Sequence, residues 1–312
     1  MSLTDIQLML DLTAERPDED TLVLDPARPF RPVPRELERE GFFDSISAVV
    51  LGDADSGEII FCRESRRTLP IASLSKLMSY LLLCEAAERG ELSFYDSVTI
   101  TAESERIAGS SDGMIYMKAG TEVPMSELVD AMLLASSNEA AASLAAHAAG
   151  STEAFVERMN ARAKELGLNT AQFYSPHGLP IYTGSAVTAK RQNMMSANDM
   201  FRLCAYLLEH EPQITDITAR QYSTMKTLKY STANTNTLVF NLTGITGLKT
   251  GSTNRAGNCI AVSMPITRGG ETHNIVLVVL GAETAQLRGQ ASEILLRWAR
   301  GYYAEHEFRP AK

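Results

Sequence analysis

The residue pattern with the most direct chemical meaning is Ser-x-x-Lys. Ser73 and Lys76 follow Pro70-Ile-Ala and open a long apolar stretch with helical spacing. On a helix they would lie one turn apart on one face, at the positive end of the helix dipole. A lysine whose pKa is lowered by burial or by neighbouring positive charge can remove the proton of a serine hydroxyl. The pair therefore predicts a serine nucleophile with a lysine base.

Two other serine patterns compete with this pair. Ser223 and Lys226 repeat the Ser-x-x-Lys spacing, but they lie in an alternating, strand-like stretch, where residues three apart point to opposite faces. Gly109-Ser-Ser-Asp-Gly113 matches the nucleophile-elbow string G-x-S-x-G. That elbow needs a buried strand before it and a helix after it, and its flanks here do not match. We interpret it as a flexible Gly/Ser loop.

Two further triplets carry groups that can hold a substrate. Ser-x-Asn occurs three times, at Ser136-Ser-Asn138, Ser196-Ala-Asn198 and Ser252-Thr-Asn254, and only the first lies between two hydrophobic helical stretches. Lys249-Thr-Gly251 occurs once, in a strand-like segment; its glycine permits close backbone approach and its lysine supplies charge for an anionic group. The order Ser-x-x-K, S-x-N, K-T-G along the chain argues against coincidence.

Strands near both ends of the folded region and helices between them must position these triplets. Period-2 patterns and turn residues predict strands at 46–51, 58–62, 223–228, 238–242, 247–249, 259–264 and 274–280. Helical spacing predicts helices at 74–90, 125–135, 138–149, 152–166 and 285–300, and another that begins at Ser196, with Ser196 as its cap. The arrangement predicts one antiparallel sheet flanked by helices, with a helical subdomain inserted at about 100–220.

The first forty residues differ from the rest. They hold five of the twelve prolines and a dense mix of both charge signs. We predict a short helix near 4–14 followed by a semi-extended arm. This divides the chain into an N-terminal extension, residues 1–40, and a folded domain, residues 41–312.

Composition excludes several classes of protein. Lys and Arg number 29 against 38 Asp and Glu, a net charge of −9, which argues against nucleic-acid binding. The four cysteines and five histidines show no metal-ligand spacing, so no metal site is predicted. The apolar runs are too short to cross a membrane, and the first residues lack the features of a signal peptide.

Longer strings around the triplets resemble the low-molecular-mass penicillin-binding proteins, the D-alanyl-D-alanine carboxypeptidases of serine peptidase family S11, over about residues 41–300. The middle Ser137 stands where these enzymes often have Gly. The resemblance implies an α/β (α+β) fold of the β-lactamase/transpeptidase type. The matching strings are Pro70-Ile-Ala-Ser-Leu-Ser-Lys-Leu-Met, Met159-Asn-Ala-Arg-Ala-Lys-Glu-Leu-Gly-Leu, Ser175-Pro-His-Gly-Leu179, Ser196-Ala-Asn-Asp-Met200, Gly247-Leu-Lys-Thr-Gly-Ser-Thr253 and Val279-Leu-Gly-Ala282.

The resemblance also implies a role for each site residue. Ser73 would attack the carbonyl of the penultimate D-alanine and Lys76 would accept its proton, while Ser136 and Asn138 would relay the proton and position the substrate amide. The strand with Gly251 would hold the extended peptide and its terminal carboxylate through Lys249, Thr250 and Thr253. The backbone N–H groups of Ser73 and Ser252 would form the oxyanion hole. Arg288 resembles in position an arginine of these enzymes that contacts the terminal carboxylate of the substrate. We interpret His177 as a structural turn residue.

The implied activity is removal of the terminal D-alanine from peptidoglycan stem peptides through an acyl-enzyme on Ser73. Its partners would be stem peptides that end in D-Ala-D-Ala, with β-lactam antibiotics as covalent inhibitors, and no cofactor, metal or nucleic acid is expected. The resemblance implies an extracytoplasmic location and a part in cell-wall synthesis and cell shape.

Two alternatives stay open at this point. A class A β-lactamase needs a Glu that activates water, within E-x-x-L-N, and Glu165-Leu-Gly-Leu-Asn169 matches that string. We expect Glu165 instead to end a helix, with Gly167 as the residue that terminates it. The other alternative is a non-catalytic penicillin-recognising module, against which the intact Ser73, Lys76, Ser136 and Lys249 argue.

Overall fold

The computed structural model of the protein describes residues 44–110, 114–182 and 190–310. The helix predicted near 4–14 and the arm that follows it lie outside these residues. So does the centre of the Gly/Ser loop predicted at 109–113.

A five-stranded antiparallel sheet forms the frame. Its strands are β1 (Ala48–Asp53), β2 (Ile59–Arg63), β3 (Gly247–Thr253), β4 (Gly257–Arg268) and β5 (Glu271–Ala282), in the spatial order β3-β4-β5-β1-β2. Ala48 lies opposite Leu280, and Lys249 lies opposite Ala261. Strands from both ends of the folded region therefore meet in one sheet, as predicted, and β3 forms one of its edges.

The sheet is buried on both faces because apolar side chains alternate along its central strands. On one face, residues such as Val50 and Val278 pack against the helical body. On the other, residues such as Leu51 and Val279 pack with Leu295 of the last helix. The sheet is thus the middle layer between two hydrophobic cores.

Nine α-helices supply the outer layers of the described chain. The helix α1 (Lys76–Glu88) crosses the middle of the helical body, and ten of its thirteen residues are buried. A helix surrounded by protein on all sides needs no polar face. Packing along the whole of α1 therefore fixes the position of its first residue, Lys76. The helices are α1 (Lys76–Glu88), α2 (Ala102–Ala108), α3 (Met125–Leu133), α4 (Asn138–Ala149), α5 (Thr152–Glu165), α6 (Ala197–His210), α7 (Ile214–Thr218), α8 (Leu238–Asn241) and α9 (Ala285–Glu305).

Four short two-stranded ladders connect these elements. They pair Leu69–Pro70 with Met194–Met195, Ser97–Thr99 with Glu122–Pro124, Ile181–Tyr182 with Lys190–Arg191, and Tyr222–Met225 with Tyr230–Ala233. In the described ranges, none of the helices combines the length and apolar character that crossing a lipid bilayer requires.

Most predicted helix boundaries agree with the structure. Gly90 and Gly167 have φ of 70° and 65°, the left-handed conformation with which glycine ends a helix. Ser196 caps α6, since its Oγ accepts a hydrogen bond from the backbone N–H of Asp199 at 3.1 Å. Glu165 is the last residue of α5, as expected.

The strand predicted at 238–242 is wrong, because Leu238–Asn241 is the short helix α8. The side chain of Asn236 accepts a hydrogen bond from the backbone N–H of Leu238 at 3.1 Å, which starts a turn. Leu238 and Leu242, four residues apart, both enter the core that contains α9. A short apolar run fits a strand and a buried helical turn equally well, so its periodicity could not decide between them.

The capping role of Ser196 can be tested by Ser196→Ala. We expect the free energy of unfolding to fall by about 1 kcal/mol, because the substitution leaves the N–H of Asp199 without its acceptor. Urea denaturation of both proteins measures the difference. The control is Thr237→Ala, since Thr237 precedes α8 without a side-chain cap and its loss should leave stability unchanged. A Ser196→Ala variant that keeps full stability but loses Ser73 reactivity would place Ser196 in the chemistry instead.

Candidate active site

A single 3-10 turn, Ala72–Ser75, presents Ser73 in front of α1. Ser73 is half-buried, whereas Leu74 and Ser75 are buried. The turn is held from outside by Gly178, where an added Cβ atom would lie 2.0 Å from the carbonyl oxygen of Ala72. Only a glycine fits this contact, so the Pro-His-Gly-Leu string packs directly against the turn that carries the serine.

The Lys76 ammonium is fully buried and makes three hydrogen bonds. Its Nζ lies 2.9 Å from Ser73 Oγ, 2.7 Å from Asn138 Oδ1 and 2.8 Å from the carbonyl oxygen of His177. An ammonium has three protons to donate, so these three acceptors satisfy it completely. All three are uncharged, and Lys76 makes no ion pair with any carboxylate in the described part of the chain.

The environment of Lys76 favours its neutral form. Burial holds the pKa of Lys76 well below its ordinary value, and the positive charge of Lys249 lowers the pKa further. The carboxylate of Glu139 opposes these effects, but it is the smallest of the three causes. A lysine in this state can act as a base at pH values where an exposed lysine is protonated.

The loop between α3 and α4 carries the S-x-N triplet. Ser136 has a φ of 62°, and its side chain is half-buried. The next residue, Ser137, caps α4 by accepting a hydrogen bond from the backbone N–H of Ala140 at 2.9 Å. This cap fixes Asn138 at the first position of α4, where its side chain reaches Lys76.

Strand β3 lies against the serine turn. An added Cβ atom at Gly251 would lie 2.8 Å from the backbone nitrogen of Ser73 and 3.1 Å from the carbonyl oxygen of Ile71. The close backbone approach predicted for Gly251 is therefore present. Two residues earlier, Lys249 is buried, and its Nζ donates to the carbonyl oxygen of Thr250 at 3.0 Å.

Arg288 lies at the start of α9, and its side chain is largely buried rather than on the surface. Its Nε is buried and has no hydrogen-bond partner among the described residues. Burial and the charge of Arg288 together lower the pKa of Lys249 to about 7. Among the described residues neither side chain forms an ion pair with a carboxylate, so the positive charge of this region favours an anion.

The three hydroxyl side chains of β3 each form a hydrogen bond within the protein. Thr250 Oγ1 donates to Thr235 Oγ1 at 2.8 Å, and Ser252 Oγ donates to Asn258 Oδ1 at 3.2 Å. Thr253 Oγ1 accepts from the backbone N–H of Ala256 at 3.0 Å, within the turn between β3 and β4. The partner of Thr250, Thr235, is a residue that the sequence motifs did not indicate.

The serines of the competing patterns form hydrogen bonds with other residues. Ser223 Oγ donates to Asp130 Oδ2 at 2.7 Å, and Ser196 caps α6. Glu165 makes an ion pair with Arg162 at 3.0 Å, and its side chain is 64% exposed. Neither serine pairs with a lysine, and Glu165 lies on a solvent-facing helix end.

His177 contributes its backbone to the site, which sequence reasoning missed. Its Nδ1 accepts a hydrogen bond from the backbone N–H of Leu179 at 3.0 Å, so the predicted turn role is confirmed. Burial, together with the charge of Lys76, lowers the pKa of His177 to about 3, which keeps the ring neutral. The carbonyl oxygen that holds Lys76 has no signal in the sequence, because every residue has a carbonyl.

Comparison with known proteins agrees with this geometry. Residues 40–284 match the family model described as D-alanyl-D-alanine carboxypeptidase, Peptidase S11. The chain is 31% identical over 262 residues to D-alanyl-D-alanine carboxypeptidase DacF of Bacillus subtilis, a match that covers 83% of this chain and 63% of the relative. For DacC of Escherichia coli the identity is 30% over 256 residues, covering 80% and 60%. The chain thus spans 60–63% of the length of these curated relatives.

Solved structures show the same fold. PBP3 of Streptococcus pneumoniae, a peptidoglycan synthesis regulatory factor, superposes with a TM-score of 0.74 at 28% identity, covering 81% of this chain and 73% of the other. Penicillin-binding protein D2 of Listeria monocytogenes, in its ampicillin-bound form, superposes with a TM-score of 0.69 at 29% identity, covering 81% and 96%. The predicted β-lactamase/transpeptidase-like fold is confirmed.

The contact between β3 and the serine turn can be tested by Gly251→Ala. The added methyl group would force the strand away from the backbone nitrogen of Ser73. Since a misplacement of about 1 Å costs on the order of 100-fold in rate, we expect labelling of Ser73 by a fluorescent penicillin to slow by that factor. Gly269→Ala is the control for adding a methyl group at a glycine, because an added Cβ meets no other atom there. Since Gly269 has a positive φ, this variant also shows the effect of backbone strain without a steric contact. Equal labelling rates for Gly251→Ala and the parent would show that the contact is not needed.

Proposed function

The chain belongs to the D-alanyl-D-alanine carboxypeptidase family, the S11 serine peptidases, and from this membership we propose that it removes the terminal D-alanine from peptidoglycan stem peptides through an acyl-enzyme on Ser73. The observation that carries the proposal is the contact of Lys76 Nζ with Ser73 Oγ at 2.9 Å, in a site where the lysine has only uncharged partners. This arrangement supplies both a nucleophile and a base.

The first step is transfer of the Ser73 proton to Lys76. In its neutral form Nζ has two protons and one lone pair. Nζ can keep donating these two protons to Asn138 Oδ1 and to the carbonyl oxygen of His177, so the lone pair is left for the hydroxyl proton of Ser73. As Lys76 takes that proton, Ser73 Oγ forms a bond to the carbonyl carbon of the penultimate D-alanine.

The tetrahedral intermediate then collapses. Its oxyanion would accept hydrogen bonds from the backbone N–H groups of Ser73 and Ser252, on the two elements that Gly251 holds in contact. The C–N bond breaks as the leaving amine receives a proton from Lys76 through Ser136. Water then attacks the ester, the C–O bond breaks, and Ser73 recovers its proton.

The terminal carboxylate of the substrate needs a positive partner. Lys249 and Arg288 can supply one, because both are buried near each other and neither forms an ion pair with a carboxylate of residues 44–110, 114–182 or 190–310. Thr250 adds a hydroxyl at the same strand, and Thr253 lies at its end. A free carboxylate at the chain end is what distinguishes the terminal D-alanine from an internal residue.

The same site would take β-lactam antibiotics as covalent inhibitors, and this proposal is supported by the ampicillin-bound and cefotaxime-bound forms of the Listeria relative. We place the catalytic unit in residues 41–312, with residues 1–40 as an extension. We place its action outside the cytoplasm, on the cell wall, because its substrate is peptidoglycan.

The direct test is mass spectrometry of a peptide that ends in D-Ala-D-Ala after incubation with the protein. We expect the peptide to lose one alanine, and Ser73→Ala to abolish the loss. The matched control is the same peptide ending in L-Ala-L-Ala, which should remain intact. An unchanged D-Ala-D-Ala peptide would overturn the proposal.

The role of Lys76 predicts the effect of Lys76→Arg. A guanidinium keeps the charge but cannot be deprotonated in proteins, so it cannot take the serine proton. We expect acylation of Ser73 by a penicillin to slow by about 10²- to 10⁴-fold, the usual contribution of a general base. Stopped-flow labelling measures the rate.

The pH profile of the parent is the accompanying control. Because the pKa of Lys76 is lowered, the fraction of neutral base rises with pH at values well below 10.5. The acylation rate of the parent should rise with pH over the same values, and the Lys76→Arg variant should not show this rise. A variant within a few fold of the parent would show that another group takes the proton.

The fate of the penicilloyl ester separates a carboxypeptidase from a β-lactamase. Glu165 ends α5 in an ion pair with Arg162, so it is not available to activate a water for the ester. We expect a stable adduct on Ser73 by mass, absent in Ser73→Ala and with the same lifetime in Glu165→Gln. Rapid turnover of a chromogenic β-lactam that disappears in Glu165→Gln would support the β-lactamase.

A further inference from the structure

The segment Asn234-Thr235-Asn236 connects the two elements that carry the S-x-N and K-T-G triplets, the loop between α3 and α4 and the strand β3. On one side, the backbone N–H of Thr235 donates to the carbonyl oxygen of Leu134, two residues before Ser136. On the other, the side chain of Asn236 donates to the carbonyl oxygen of Gly247, the first residue of β3, at 3.1 Å. The segment therefore bridges the S-x-N loop and the K-T-G strand.

Two buried asparagine side chains hold this bridge rigid. Asn234 is 7% exposed, and its Nδ2 donates to the carbonyl oxygens of Thr218 and Arg220, each at 2.9 Å. Its Oδ1 accepts from the backbone N–H of Asn236, itself 1% exposed, at 2.9 Å. With a fixed residue on each side, Thr235 has little freedom to move its side chain away from β3.

The hydroxyl of Thr235 has a proton to spare. Thr250 Oγ1 donates to Thr235 Oγ1 at 2.8 Å, so in this bond Thr235 acts as the acceptor. A hydroxyl that accepts still has its own proton to donate. Within the described part of the chain, no acceptor receives that proton. Thr235 is half-buried, so protein does not fully enclose its side chain.

The surroundings of the two hydroxyls favour an anion. Lys249 Nζ donates to the carbonyl oxygen of Thr250 at 3.0 Å, and Arg288 lies close enough for its positive charge to lower the pKa of Lys249. The buried Nε of Arg288 is a donor without a partner among the described residues. A carboxylate beside Thr250 would therefore meet cationic groups on one side and the pair of threonine hydroxyls on the other.

We propose that Thr235 is a specificity-determining residue that donates its hydroxyl proton to the terminal carboxylate of the substrate, in a chain that runs from Thr250 through Thr235. This inference rests on the proposed function, since it assumes a ligand with a carboxylate at that position. Each hydrogen bond in the chain polarises the next, which strengthens the bond to the charged acceptor. The asparagines on either side hold the donor in place before the substrate arrives.

The test compares two activated substrates that differ only in the carboxylate. One is an N-acyl-D-alanyl thioester of thioglycolic acid, which has a carboxylate, and the other is the corresponding ethyl thioester, which has none. Thr235→Val removes the hydroxyl and keeps the shape. We expect kcat/KM for the thioglycolate ester to fall about tenfold or more, the effect of losing a hydrogen bond to a charged group, and kcat/KM for the ethyl ester to change less than about twofold.

Two further variants complete the experiment. Thr235→Ser keeps a hydroxyl and should restore most of the preference for the carboxylate ester. Thr237→Val makes the same exchange at an exposed threonine and should behave like the parent. Thermal unfolding of each variant verifies that it is folded.

The outcomes separate the two proposals. Selective loss on the carboxylate ester supports the role of Thr235. Equal loss on both esters, or no loss on either, overturns it while leaving the carboxypeptidase proposal intact. A parent protein that forms an acyl-enzyme with neither ester, nor with penicillin, overturns the proposed function and this inference with it.

Discussion

The burial of a lysine ammonium without a carboxylate partner is the constraint on which the rest of the site depends. Removing a charge from water is costly unless hydrogen bonds and opposite charges replace the solvent. Lys76 has the hydrogen bonds but no opposite charge in contact, so its neutral form is favoured. Its acceptors come from three separate parts of the chain, which must all assemble before the lysine can function. Chemistry and tertiary structure are therefore coupled at one nitrogen atom.

The layered architecture explains how such distant parts meet. The sheet joins strands from both ends of the folded region, and α1 passes through the centre of the helical body. The glycines at 178 and 251 let two separate backbone segments approach the serine turn more closely than any side chain would permit. Backbone contacts of this kind do not vary with rotamers, so the nucleophile is held by rigid elements rather than by mobile side chains.

The candidate site residues that the structure brings together could be selected from the sequence because their types are restricted. A lysine base, a capped Ser-x-Asn loop and a glycine at a close approach each leave a recognisable pattern. The carbonyl of His177 and the hydroxyl of Thr235 could not be found, since a carbonyl is common to all residues and threonines are common on surfaces. The strand predicted at 238–242 was wrong because Asn236 starts a turn through a side-chain contact. Apolar periodicity contains no information on such a contact.

The position of β3 at the edge of the sheet has a consequence for self-association. An edge strand has unpaired backbone groups, and a flat, open edge invites pairing with another copy of the chain, which leads to aggregation. Here the turn that carries Ser73 packs against Gly251, and Thr218 packs against Gly247, so protein packs against both ends of the strand. The contacts that position the strand thus also restrict which polypeptides can pair with it.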